Sequence, residues 1–368
     1  MAKVLLNSLS SSDIDWMVSA GTRKHIPPNT VLIRQGEPLH GLYILLDGSI
    51  AVTVSQPSDN PLGHAFAVLE GGKMSGREIA RLDSGEMIGE MPLLETSLSS
   101  TTIKTVTKSL VLSIPQHRLL GKLQEDESFA AHLYRAIAIL LANRLEKIIS
   151  QLGNNSTIAL CEPQIREILF VFGELSDLDI DWMVSVGTPQ NLSAGTVLIH
   201  AGKAIDALHI LLDGKMTVSI SEDKNDFLAR AFSSLEDSES ESSEQEFAWV
   251  LKGDIVGETP FVEVPLPFVT VRAVENSVVL SIPQWRLAAK LMHDIGFAAR
   301  FYKVLAILLA DKQQQIISQF SYGRLRYSKE QPLDENSIYE NELSSHFLAQ
   351  MTLAGNRFDW MLKKIIRS

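Results

Sequence analysis

Ile44-Leu45-Leu46-Asp47-Gly48-Ser49-Ile50-Ala51-Val52-Thr53-Val54 is the stretch on which the reading of this chain turns. Two largely apolar runs flank Asp47-Gly48, the second rich in β-branched residues. Glycine tolerates the positive φ that a tight hairpin requires, so the segment reads as strand, turn, strand. Working outward, Pro27-Pro28-Asn29 turns the chain into a strand at Thr30-Val31-Leu32-Ile33, and Gln35-Gly36-Glu37-Pro38 turns it again. Before these, Ser10-Ser11-Ser12-Asp13 caps a short helix carrying Trp16-Met17-Val18, which Gly21 ends. Past Pro115 the period changes. Leu119, Leu120 and Leu123 begin a helical stretch, and from Phe129 to Gln151 apolar residues recur on one helical face: Tyr134, Ile137, Ala138, Leu141, Leu145 and Ile148. Short strands with Asx-Gly turns imply an all-β barrel or sandwich. Here a long amphipathic helix follows it.

The same plan is written twice. Leu45-Leu46-Asp47-Gly48 returns as Leu211-Leu212-Asp213-Gly214, and Asp13-Ile14-Asp15-Trp16-Met17 as Asp179-Ile180-Asp181-Trp182-Met183. Gly89-Glu90 returns as Gly257-Glu258, and Ser113-Ile114-Pro115-Gln116 as Ser281-Ile282-Pro283-Gln284, each offset by two further residues. The second long helix carries Tyr302, Leu305, Ala306, Leu309 and Ile316. Such a period exceeds the roughly 20–50 residues of solenoid repeats, so a whole domain is duplicated. The boundaries expected are residues 1–152 and 175–320 for the two domains, 153–174 for a linker and 321–368 for a tail. The copies differ most in one loop. Gln56 to Arg81 is mixed, whereas Ser233 to Glu246 is acidic and Ser-rich, which reads as a solvated hairpin tip.

Composition bounds the class. The chain has 368 residues, 45% hydrophobic and 21% charged, with a net charge of −11. Two domains of about 150 residues are the expectation for that length. Net acidity argues against nonspecific nucleic-acid binding, which needs clustered cations. The single cysteine, Cys161, sits among Ile158, Ala159 and Leu160 and reads as a small buried side chain rather than a nucleophile. No signal peptide or membrane span is expected, and the location read from this is cytoplasmic. No metal-ligand spacing, P-loop, Gly-x-Ser-x-Gly or Cys-x-x-Cys points to catalysis. The nine histidines are scattered, so no catalytic or metal site is expected.

Taken together, Ile44 to Gly48, Gly85-Glu86-Met87-Ile88-Gly89-Glu90-Met91-Pro92-Leu93-Leu94, Ser113-Ile114-Pro115 and Tyr134 to Ala138 resemble the cyclic-nucleotide-binding domains of the cAMP receptor protein type. The resemblance covers about residues 9–151 and 175–319. Phe297-Ala298-Ala299-Arg300-Phe301-Tyr302 is similar in wording to bacterial members, cyanobacterial ones above all. The fold this implies is mainly β with flanking helices: two jelly-roll barrels, each followed by a long amphipathic α-helix.

The resemblance also implies a site. In that family a cassette holds a cyclic phosphate against backbone N–H groups, a Glu accepts the ribose 2′-hydroxyl and an Arg pairs with the phosphate. The ligand class implied is a cyclic nucleotide (cAMP or cGMP) or a related small anion. Gly89 and Glu90, and Gly257 and Glu258, occupy the Gly-Glu positions. The Arg position falls on Ser99 in the first copy and Pro267 in the second. No Arg or Lys lies between Glu90 and Ile103 or between Glu258 and Val271. Ser99, Ser100 and Thr101 offer hydroxyls in partial compensation; the second copy, with Pro265-Leu266-Pro267, offers almost none. Glu90 and Glu258 also have a ligand-free reading, as carboxylates favourable near the start of a short helix.

The long helices are candidates for dimerisation or for passing a signal to a protein partner, through Tyr134, Ile137, Leu141 and Leu145 and through Tyr302, Leu305 and Leu309. No helix-turn-helix domain is visible, so direct DNA binding is not expected. Arg357 to Arg367 is short, basic and amphipathic. Docking of Phe358, Trp360, Met361 and Leu362 on the chain's own barrels is the expectation, with an anionic membrane or a partner groove as alternatives. Two functional readings stay open: a non-enzymatic sensor or regulator with tandem domains, and a scaffold that kept the fold and lost the nucleotide.

Overall fold

The computed structural model describes residues 7–37, 39–54, 77–94, 99, 101–152, 171–221, 244–264, 266–321 and 345–366. Cys161, most of the acidic loop (233–243) and Ser100 lie outside the described residues. The chain divides into two compact units: Met1–Leu140 with Ala310–Ser344, and Leu141–Leu309 with Ser345–Ser368.

In the first unit, helix α1 (Ser11–Ala20) precedes β1 (Thr22–Ile26), β2 (Val31–Ile33), β3 (Gly41–Asp47), β4 (Ser49–Val54), β5 (Arg77–Asp83), β6 (Met87–Ile88), β7 (Thr102–Thr105) and β8 (Ser109–Pro115). Helices α2 (Gln116–Glu125) and α3 (Glu127–Leu152) follow, the residues of α3 from Leu141 onward belonging to the second unit. The strands form two antiparallel four-stranded sheets, ordered β1-β8-β3-β6 and β2-β7-β4-β5. This is the jelly-roll arrangement expected. Gly48 takes φ +100 at the β3–β4 hairpin, as its sequence predicts, and an added Cβ there would meet Ser109 Oγ at 2.4 Å. Between the sheets Ile33, Leu45, Ile50, Leu82, Ile88, Ile103 and Val111 form one buried cluster.

The second unit repeats this with α4 (Asp177–Val186), β9 (Thr188–Leu192), β10 (Val197–Ile199), β11 (Ala207–Asp213), β12 (Met216–Ser221), β13 (Glu244–Val250), β14 (Ile255–Val256), β15 (Thr270–Ala273), β16 (Ser277–Pro283), α5 (Gln284–His293) and α6 (Ile295–Ser321), the residues of α6 from Ala310 onward belonging to the first unit. Its sheets are β14-β11-β16-β9 and β10-β15-β12-β13, closed over Ile199, Leu211, Met216, Val250, Val256, Val271 and Val279. A last helix, α7 (Ser345–Ile366), belongs to this unit and packs on α4. It is longer than its basic, amphipathic end announces. Among the described residues no helix is long and apolar enough to cross a membrane.

The duplicated Asp-Trp-Met now has a physical reason. Asp13 and Asp179 close capping boxes with Ser10 and Ser176, each accepting the cap residue's N–H at 2.8 Å. Trp16 meets Phe129 edge-on at 5.0 Å, and Trp182 meets Phe297 at 5.5 Å, contacts worth about 0.5–1.5 kcal/mol beyond area burial. Met17 and Met183 are buried. The motif therefore fixes the short helix to the start of the long one. The same aspartates are tied again: Asp13 to His132 Nδ1 at 2.8 Å, and Asp179 to Arg300 through two bonds of 2.6 and 3.0 Å. Burial pushes the Asp179 carboxyl up, but Arg300 and Ser176 outweigh it and hold it below the usual carboxylate range.

Candidate functional site

The cassette begins just before β6 and runs through it. Gly85 (φ +91) turns the chain into Glu86, and Gly89 (φ +83) turns it out toward the 3-10 turn Met91–Leu94. An added Cβ at Gly89 would stand 2.5 Å from the Gly41 carbonyl oxygen; at Gly257 (φ +91) it would stand 2.7 Å from that of Ala207. Both glycines are thus demanded by backbone geometry before any ligand is considered. Glu90 and Glu258 follow at the mouths of the 3-10 turns, where their carbonyls accept the N–H of Leu93 and Phe261 at 2.9 Å. Glu90 is buried, whereas Glu258 is only partly so.

At the position of the phosphate Arg, Ser99 is buried and turned inward. Its hydroxyl donates to the Thr101 carbonyl at 2.8 Å and accepts the Thr101 N–H at 3.4 Å. Its own backbone exchanges bonds with the opposite turn: Gly36 N–H to Ser99 O at 2.7 Å and Ser99 N–H to Glu37 O at 3.2 Å. Thr101 is buried beside it. In the second copy Gly202 N–H donates to Pro267 O at 2.8 Å, the same turn-to-cassette bond. The nearest cation there, Arg272, donates to the Gly195 carbonyl at 3.2 Å. What Ser99 and Pro267 share is a structural carbonyl.

One residue near the second cassette escaped the sequence reading. His209 on β11 is 6% exposed, and its Nδ1 lies 2.8 Å from Ser281 Oγ on β16. Its ring is 3.5 Å from where a Gly257 Cβ would sit. Burial pushes its pKa down to about 4, only partly opposed by Asp206, so the ring is neutral near pH 7. Its repeat counterpart is Tyr43, which occupies the same register opposite Ser113. The signal that marks it is this mismatch between copies.

The helix residues Tyr134, Ile137, Leu141, Leu145, Tyr302, Leu305 and Leu309 are all buried within the single chain. On the tail, Phe358 is 4% exposed and meets Phe172 edge-on at 5.1 Å. Leu362 is half-buried. Trp360 departs from expectation: it stands on the outer face of α7, 38% exposed, with Lys364 Nζ 4.2 Å from its ring centroid. Helical period explains this, because Ala354, Phe358 and Met361 share the inner face and Trp360 falls between them.

The sequence profile of the cyclic nucleotide-binding domain matches residues 23–126 and 189–294. The CRP-like protein Clp of Xanthomonas campestris pv. campestris is 25% identical over 140 residues, 38% of this chain and 54% of that protein. An uncharacterized NTE family protein of Mycobacterium tuberculosis is 21% identical over 162 residues, 42% of this chain and 24% of that protein. The chain thus spans a quarter to a half of the curated relatives it matches. Among solved structures, the regulatory domain of Toxoplasma gondii PKA with cAMP aligns over 85% of this chain and 92% of its own, at 15% identity and a TM-score of 0.29. The catabolite activator protein of Thermus thermophilus aligns over 52% and 75%, at 17% identity and a TM-score of 0.32. The two segments matched by the profile take in one barrel each and together more than half of the residues, and the chain belongs to the cyclic nucleotide-binding domain family, which it carries in tandem.

Proposed function

We propose that the chain is a non-enzymatic sensor or regulatory protein, in which tandem cyclic-nucleotide-binding-like domains signal through their helices to a protein partner. The observation that carries this is the pair of rim corners, Gly89-Glu90 and Gly257-Glu258, kept in both barrels without a cation anywhere in the following cassette. A phosphate arginine is normally a desolvated, charge-assisted contact, and its loss costs about 2–5 kcal/mol. Any cyclic nucleotide or related small anion is therefore held weakly, and the first barrel is the better host because Glu90 is the more enclosed carboxylate. The protein acts in the cytoplasm and makes no direct DNA contact in this reading.

A scaffold that has lost the nucleotide is the second reading, favoured by Ser99. Its hydroxyl and its backbone are both engaged internally. Thermal unfolding with millimolar cAMP, cGMP or cyclic dinucleotides separates the two. A ligand at about 100 times its dissociation constant stabilises the native state by about 2.7 kcal/mol. A shift abolished by Glu90→Ala and retained in Glu258→Ala supports a one-site sensor. The absence of any shift supports the scaffold.

A further inference from the structure

The duplication supplies an internal control for surfaces as well as for sites. In the second unit, α7 lies on α4. Ala354, Phe358 and Met361 are its buried face. Arg357 donates to Asp177 at 2.7 Å and to the Phe172 carbonyl at 2.9 Å, and Lys364 pairs with Asp181. Lys252 stands 6.0 Å from the Phe358 ring. In this unit Leu212, on β11, is 2% exposed.

Among the described residues, the same surface in the first unit carries no such helix. Leu46, the counterpart of Leu212, is 38% exposed, and Val18 on α1 is 42% exposed. Between α1 and the ends of β3 and β8 runs an apolar cavity of about 210 Å³, lined by Leu9, Ile14, Val18, Leu46, Ser84 and Leu112 among others. Asp15, the counterpart of Asp181, is exposed on α1, next in the chain to Ile14 of that lining. No described helix lies over α1 as α7 lies over α4.

We propose that this groove is the docking site for one amphipathic helix of a protein partner, seated as α7 is seated on α4. The occupant's chemistry follows from the differences between the copies. It presents two bulky apolar side chains three residues apart, as Phe358 and Met361 do, with a small residue one turn before them. It places a Lys or Arg about one turn after them, to meet Asp15. It needs no equivalent of Arg357, because Ser11 stands where Asp177 stands in the second copy. That difference is also why the chain's own tail belongs to the second groove: its Arg357–Asp177 pair has no counterpart in the first. An exposed leucine and valine flanking a cavity are a natural centre for such an interface, with the aspartate at its rim.

The inference rests on the reading that the chain acts on a protein partner. The experiment contains no nucleotide, so its failure is distinct from a failure of nucleotide binding. The probe is a fluorescent synthetic helix of residues 345–366 carrying Arg357→Ala, added to the intact chain and followed by anisotropy. Saturable one-to-one binding is expected. Val18→Asp with Leu46→Asp, both at exposed positions that the fold does not need apolar, should weaken it by at least about tenfold. Lys364→Glu in the probe should weaken it as well, and Asp15→Lys in the chain should restore it. Absence of saturable binding overturns the proposal and leaves the cavity to a small apolar molecule. So does binding that survives in the Val18/Leu46 variant but changes with Asp181→Lys, which would mean that the probe displaces the chain's own tail.

Discussion

Acidification should destabilise the second barrel through one side chain, His209. Its pKa is held down at about 4 by burial, against 6.5 for the exposed ring. The sign follows from linkage. The unfolded chain takes up a proton as pH falls through 6.5, and the native barrel does not follow until about pH 4. The stabilisation from the buried neutral ring is therefore complete above pH 6.5 and is lost progressively down to about 4. Each pH unit between those two values is worth about 1.36 kcal/mol, so the loss amounts to roughly 3 kcal/mol. His209→Gln can still bond Ser281 across the 2.8 Å contact but carries no titrating ring, so it should flatten the pH dependence, by about 2 kcal/mol between pH 7.5 and 5.0. Urea unfolding of the wild type and the variant at pH 7.5, 6.0 and 5.0 isolates this contribution, since every carboxylate titrates alike in both. NMR of the imidazole gives the same quantity directly, as a ring that stays neutral down to about pH 5. An imidazole that titrates near 6.5, or a variant with the wild-type slope, would refute the argument.

Other substitutions probe the packing on which the site stands. Gly89→Ala and Gly257→Ala should each destabilise by more than about 2 kcal/mol, combining a left-handed residue with a clash against a carbonyl; denaturant titration without any ligand checks this. Arg300→Met leaves Asp179 buried with only its cap bonds, and about 2–3 kcal/mol should be lost near neutral pH, the lower part of the range for buried pairs because Arg300 is one-third exposed. The wild-type advantage should shrink in acid, since a carboxyl held below its usual pKa stabilises above that value and loses the contribution as it protonates. Phe358→Ala should cost about 3 kcal/mol of tail docking and open α7 to proteolysis within residues 345–366, while the first unit keeps its protection.

Signals confined to a few neighbouring residues were readable in the chain. Asp47-Gly48, the Ser10 cap and the helical period after Phe129 each carry their own cause, and each forms as expected. The edge strands β1 and β9 were not readable. Thr22-Arg23-Lys24-His25-Ile26 is polar and mostly exposed, and β9 contains Pro189, which a central strand would reject but an edge tolerates. Links that join distant parts of the chain were hidden too. The Asp179–Arg300 pair spans 121 residues, and only the repeat, with Asp13 facing His132, points to it. At the cassette, spacing located Gly89, Glu90 and Ser99 but not the direction of a hydroxyl. Ser99 bonds Thr101 because the cassette closes on its own backbone there.

The glycine at the rim has a consequence for how such chains drift. Gly89 is pinned by a carbonyl 2.5 Å from where its Cβ would be, so it cannot leave without loosening the barrel. Ser99 and Pro267 are held through their carbonyls, which accept the N–H of Gly36 and Gly202, a tie that any residue type can supply. The two positions are therefore unequally constrained by the fold. The glycine is therefore a mark of the barrel's own shape, and its presence in a sequence counts for the wall before it counts for any guest.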